Sequence, residues 1–459
     1  LSDGTVSVFE AATGAELSSF TGDDLRAFSV DGTKLVTSGG GSVKVWDVAS
    51  GTQVSSVGGY FEWLCADGTK LATDDYEGLI RIWDVETGNE IASVTNYIVE
   101  PVFSNDCTKA ATGDYDTCLA TGWAASNGAQ LATTTGGSTS VFSADGSQLV
   151  AVSDVDDTVT VVDVATGEES SFATGHASPQ RSVTFGPEGN TIVSEGDFAA
   201  PVIWDAASGE QLSALTGGPT VTSPLGTEIA VRGEYPDETV TLWDVATGTQ
   251  IAQIAGDGFT DPVFSPDDTK VVTVVPGETT IHDTATGAEL AKVVGEYPHV
   301  SPSGNKVVTE GYDDGITTVV MVWDLATGDQ ICSVPAGSFE RFSPDESRIV
   351  TKSYEDGTYS LWETDSGLPV VSVSADSFNG FSADATRIVT TDHDDIGKLT
   401  MTVWDAATGA PIVSAPGYGV FSPDGSHVAS SGGDGTVSVW ASATGAVEFS
   451  VAGEQFPDF

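Results

Sequence analysis

Residues Asp237 to Ile251 read DETVTLWDVATGTQI, and the fold follows from how this stretch is put together. Acids that suit a turn come first, and the chain then alternates through Val240, Leu242 and the large Trp243, as a half-buried strand does. Asp244 and Thr247-Gly248 close the strand. An Asp three residues before a Thr-Gly pair suits a tight connection, because its carboxylate can accept backbone N–H bonds while Gly takes the positive φ that L-residues avoid. Gln250 and Ile251 open a second strand, so the stretch is a β-hairpin.

The hairpin recurs along the chain. Aligning the Trp position gives Phe9, Trp46, Trp83, Trp123, Val162, Trp204, Trp243, His282, Trp323, Trp362, Trp404 and Trp440, at spacings of 36 to 42 residues. An acid follows at Glu10, Asp47, Asp84, Asp163, Asp205, Asp244, Asp283, Asp324, Glu363 and Asp405. Among the tryptophans only Trp63 stands outside this register. Between copies lies a second hairpin, clearest at Val263 to Thr273 (VFSPDDTKVVT) and Val420 to Ser430 (VFSPDGSHVAS), built on a Ser-Pro-Asp-Gly type of turn. Each repeat therefore has four strands. A period near 40 with four strands and a Trp-Asp pair is the pattern of propeller blades, whose small sheets bury their faces on one another.

On these residues the chain resembles the WD-repeat family of β-propellers, and the resemblance covers nearly all of it. The wording FSPDG and VWDxATG looks more like prokaryotic members, and it shades into the repeats of quinoprotein dehydrogenases. The family's Gly-His pair occurs once, at Gly175-His176, so the resemblance implies its hydrogen-bond set (His176, Ser194, Asp197, Trp204) in one blade at most. Elsewhere packing and turns must hold the repeat. The expected fold is all-β, with about eleven complete blades and partial blades at both ends. Thr5 to Phe9 and Glu16 to Phe20 supply only third and fourth strands, and Glu454 to Phe459 reads like a lone first strand. Twelve repeat positions exceed the four to eight blades usual in one ring. Two tandem propellers, 1–216 and 217–459 with the break at Gly217-Gly218-Pro219, are the economical reading; one large ring stays open.

Composition narrows the function. Sixteen basic residues against 67 acidic ones give a net charge of −51, which argues against nucleic acid and anionic membranes as partners. Such self-repulsion needs screening by salt or cations. Acids spread through every repeat resemble proteins of salt-loving organisms, so a high-salt cytoplasm or an extracellular setting is expected. No apolar run approaches the ~20 residues that span a bilayer. The chain is expected to be soluble, and its start at Leu1 without Met points to a processed or truncated product. The four cysteines, Cys65, Cys107, Cys118 and Cys332, lack zinc-ligand spacing. A Cys107–Cys118 bridge is not expected, since those positions fall at opposite ends of a blade.

The five histidines occupy different repeat positions and form no catalytic spacing with Ser or Asp. No catalytic, cofactor-binding or metal-binding residue is therefore expected, and the chain reads as non-enzymatic. Acid clusters between strands two and three suit turns, although such oxygen-rich loops could hold calcium. Tyrosines share those loops. Tyr76, Tyr115, Tyr235, Tyr312 and Tyr354, with Asp75 and Asp314, form the expected partner surface, on the side of the ring that also carries Tyr60, Tyr97, Tyr297 and Tyr418. The expected partner is a protein with a basic or cation-bridged surface. The leading function is a binding or scaffolding propeller. A structural subunit of an extracellular assembly completed by strand exchange is one alternative, with oligomers possible. A quinone-dependent dehydrogenase is the other, and it would need a cavity on the ring axis with an Arg or Lys and a cation.

Overall fold

A computed structural model describes residues 5–452 apart from short stretches, the longer ones being 10–15, 30–32, 76–78, 96–101, 115–118, 136–138, 154–157, 174–179, 234–237, 313–317, 394–397 and 433–435. Every described element is a β-strand. After a two-stranded hairpin, Thr5–Phe9 with Glu16–Thr21, come eleven four-stranded antiparallel sheets. We number them by residues as sheet 1 (24–58), 2 (60–95), 3 (102–135), 4 (139–173), 5 (180–214), 6 (220–255), 7 (263–294), 8 (296–335), 9 (338–374), 10 (377–416) and 11 (418–452). Within each, consecutive strands pair as a simple meander.

The alternation seen around Trp243 builds this order. In Thr239–Asp244, Val240 and Leu242 are buried and the residues between them are partly exposed. The second strand of each sheet is more deeply covered, as in Lys270–Val275, where Val271, Val272, Thr273 and Val274 are all buried. A sheet buried on both faces needs a neighbour on each side. The apolar clusters show that neighbour: Val36, Val43 and Val45 of sheet 1 pack with Leu71 and Trp83 of sheet 2. Val272 and Ile281 of sheet 7 meet Val307 and Trp323 of sheet 8, and Val389, Met401 and Val403 of sheet 10 meet Val428 and Trp440 of sheet 11. The core is a series of seams between successive sheets, which is the packing of propeller blades.

The chain forms two compact units, centred on Leu17–Ile254 and Ala255–Phe459. The first holds sheets 1 to 6 and the second sheets 7 to 11. In the second unit the first strands of sheets 9 to 11 line one cavity through Arg341, Phe342, Asn379, Phe381 and Phe421, and Pro302, in the turn after the first strand of sheet 8, lines it too. Pro201, in the third strand of sheet 5, lies where the pairing slips between Ser194↔Val202 and Gly196↔Ala199. A residue without an N–H is tolerated at that bulge.

Candidate functional site

Most polar residues that mark the repeat are engaged in building it. Asp244 accepts both the N–H and the hydroxyl of Thr247, at 2.7 and 2.6 Å. Gly248, at φ 64°, donates its N–H to the Asp244 carbonyl at 2.9 Å. The same set recurs with Asp84 and Thr87, Asp205 and Ser208, and Asp405 and Thr408. The other turn, between strands one and two, has its own clasp. Ser265 Oγ donates to Asp267 at 2.6 Å and accepts the Lys270 N–H at 2.9 Å, while Asp267 accepts the Thr269 N–H at 3.1 Å. Such bonds favour the ionised carboxylate. Donation from the preceding Ser, foremost, holds Asp106, Asp267, Asp384 and Asp424 at about 2, and for Asp145 the larger cause is the Ser147 N–H.

The tryptophans carry a further bond that sequence reading missed. Trp323 Nε1 donates to Thr309 Oγ1 at 2.8 Å, and that hydroxyl donates on to the Val294 carbonyl at 2.7 Å. Trp83, Thr73 and Gly58 repeat the relay. Trp46, Trp123, Trp204, Trp362, Trp404 and Trp440 likewise find Thr37, Thr112, Ser194, Thr351, Thr390 and Ser430. The signal was available: the acceptor stands two residues beyond the one that faces Trp across the ladder, as Thr309 stands beyond Val307. Ser194 and Trp204 thus form half of the family-like set, whereas His176 and Asp197 lie outside the described residues. His282, in the Trp position of sheet 7, is buried with Nε2 3.4 Å from Thr273 Oγ1. Burial lowers its pKa.

Cysteines supply a link that was not expected. Cys65 and Cys107 form a disulfide with Cα atoms 6.0 Å apart. They hold different places in their repeats, the turn Ser in sheet 2 and the turn Gly in sheet 3, but these places face each other across adjoining sheets. Elsewhere Ser meets Gly there: a Cβ built on Gly68 would lie 3.0 Å from Ser29 Cβ, and one on Gly146 3.2 Å from Ser104 Cβ. Asp67 stands beside the two sulfurs, yet thiols bonded to each other are not thiolate ligands. Cys118 lies outside the described residues, and Cys332 is a buried free thiol.

Of the expected partner residues, Tyr76, Tyr115, Tyr235, Tyr354 and Asp314 lie outside the described residues, as does Tyr97. Tyr312 ends the strand Lys306–Tyr312 opposite Thr318; its side chain also lies outside. Asp75 is half-buried, accepts the Leu79 N–H at 3.0 Å and stands 3.9 Å from Arg81. Its role there is that of a loop acid. On the described surface, Tyr60 and Trp63, both on the first strand of sheet 2, are 40% and 45% exposed. Tyr60 lies directly opposite Asp74, so it borders the loop that begins at Asp75. Tyr297 is 64% exposed at the corresponding edge of sheet 8. Trp63 had announced itself as the tryptophan out of register.

The cavity in the second unit measures about 340 Å³. Its lining includes Arg341 but no carboxylate. Those residues therefore offer no acid ligand for the cation that a quinone-dependent dehydrogenase would need beside its cofactor. Among the described residues, no helix is long and apolar enough to cross a membrane.

Residues 14–47 and 408–441 match the family model described as WD domain, G-beta repeat. No curated protein matches the chain. Solved structures that are similar include a eukaryotic initiation factor, at 15% identity and a TM-score of 0.33 over 66% of this chain and 95% of that one. Another is the computationally designed protein Ika8, at 22% identity and a TM-score of 0.34 over 68% and 99%. The two family matches fall near the ends of the chain, and the same Trp, Asp and turn glycines recur at the same sheet positions between them. The chain thus carries WD40 repeats at these two places, within a series of like sheets.

Proposed function

We propose that the chain is a non-catalytic propeller that binds or scaffolds another protein. The observation that carries this reading is the exposure of Tyr60 and Trp63 together on one strand, while the recurrent Asp, Ser, Thr and other Trp side chains are engaged in turns and seams. Large aromatics contribute most to interface energy when they anchor in a partner's pocket. In the first unit Tyr60 and Trp63 stand with Asp75, and the residues expected from the sequence, Tyr76, Tyr115 and Tyr235 in that unit and Tyr312, Tyr354 and Asp314 in the second, are proposed as partner contacts of their own units. A net charge of −51 favours a basic or cation-bridged partner. The Cys65–Cys107 bridge supports an oxidising, extracellular setting, and the acidity supports a salty one.

The test is capture of partners with wild type and with the Tyr60→Ala/Trp63→Ala double variant, followed by mass spectrometry. A protein retained by wild type and lost by the variant, with the variant's melting temperature nearly unchanged, is the expected result. Retention of the same partners by both would remove this surface from the function. Dye reduction on adding a quinone cofactor and calcium would move the chain to the enzyme class.

A further inference from the structure

The cavity lined by the first strands of sheets 9 to 11 and by Pro302 is a site without an assigned occupant. Its walls are apolar, from Phe342, Phe381, Phe421 and Pro302. Into this lining the chain places a guanidinium. Arg341 lies 5.5 Å from the centre of the Phe378 ring, and a Cβ built on Gly380 would sit 3.7 Å from its Nη1, so glycine leaves that side of the group open. Asn379 fixes the neighbouring backbone, donating to Thr391 Oγ1 at 2.8 Å and to the Gly419 carbonyl at 2.9 Å.

Charge makes the arginine unusual. In a chain with 67 acids and 16 bases, pairing is the easy outcome, as Lys34 with Asp47, Arg81 with Asp75 and Arg387 with Asp384 show. Arg341 makes no ion pair among the described residues. Its planar fork of donors is directed by shape to carboxylate or phosphate oxygens. The phenylalanines around it favour a flat apolar body over a hydrated inorganic anion.

We propose that this cavity binds a small aromatic carboxylate, with Arg341 holding the carboxylate and Phe342, Phe381 and Phe421 packing on the ring. The site lies in the second unit, whereas Tyr60 and Trp63 belong to the first, and it involves no bond making or breaking. Phe381 and Phe421 each end a first strand, so the ligand would enter from the side carrying the turns between strands one and two.

Isothermal titration calorimetry with benzoate and 2-naphthoate, at the lowest salt that keeps the protein folded, tests this directly. Saturable binding at one site is expected, with benzamide about ten- to hundredfold weaker because it lacks the charge-assisted bonds. Arg341→Gln should weaken benzoate by a similar factor, and Arg341→Lys by less, with melting temperatures unchanged. Absence of saturable binding by either acid would overturn the proposal, as would equal binding by Arg341→Gln. Acetate or inorganic phosphate binding as tightly as benzoate would overturn the aromatic class.

Discussion

Sheet 4 has lost its tryptophan and the hydroxyl that would have bonded it: Val162 stands in one position and Ala151 in the other. Sheet 6 shows the cost of losing only one. Trp243 is kept, but the acceptor position holds Val231, and the indole N–H is buried without a partner. A buried donor left unpaired costs about 1–3 kcal/mol. Val231→Thr should therefore raise stability by about 1 kcal/mol, seen as a higher urea midpoint at unchanged slope. A lower or unchanged midpoint would show that no penalty attaches to that N–H. Thr309→Val should lose about 1–3 kcal/mol, since Trp323 then loses its acceptor and the Val294 carbonyl its donor. The Asp-x-x-Thr-Gly turns were legible in the sequence because their bonds are local, three or four residues apart. The Trp–Thr bonds cross a ladder, and reading them required the register of strands two and three.

At the scale of strands and turns, the seams between sheets decide both redox and acid behaviour. Cys65 and Cys107 close a loop of 42 residues, for which chain entropy suggests roughly 4 kcal/mol. The Cys65→Ser/Cys107→Gly variant restores the pairing used at other seams and should still fold, but melt at a lower temperature than wild type. Reduction should lower the wild-type melting temperature and leave the variant's unchanged. A variant as stable as wild type would deny the bridge any role. Position within one repeat concealed this pair, because the contact joins a turn of one sheet to a different residue of the next.

The turn aspartates set the acid limit. Asp106, Asp145, Asp267, Asp384 and Asp424 titrate at about 2 in the folded chain, below the ordinary 3.8. Their contribution is present above 3.8 and is lost as pH falls through about 2. Proton uptake that reduces a net charge of −51 also relieves repulsion. At low salt the melting temperature should thus rise from pH 7 to about pH 4 and fall steeply below about pH 3. A steady fall from neutral pH downward would show that charge repulsion does not control stability in that range.

Over the whole molecule, repeat period and strand pattern were enough to place the eleven sheets and the leading hairpin. Function was less legible, because the shared exposure of Tyr60 and Trp63 depends on the slip in pairing between Phe61 and Trp63 and shows only in the folded sheet. A net charge of −51 makes folding depend on ionic strength. Screening shortens from about 10 Å at 0.1 M salt to about 3 Å at 1 M, so the melting temperature should climb steeply across that range. A flat profile would refute a halophilic design.

Hydrogen exchange of the indole N–H groups, followed by nuclear magnetic resonance, distinguishes structural tryptophans from a binding one. Eight of the ten, at 46, 83, 123, 204, 323, 362, 404 and 440, should exchange slowly, since each is bonded to a Thr or Ser of its own sheet. Trp243 should be slow through burial alone. Trp63 should exchange at once. Ten indoles exchanging alike, or a protected Trp63, would contradict both the blade structure and the surface proposed for its partner.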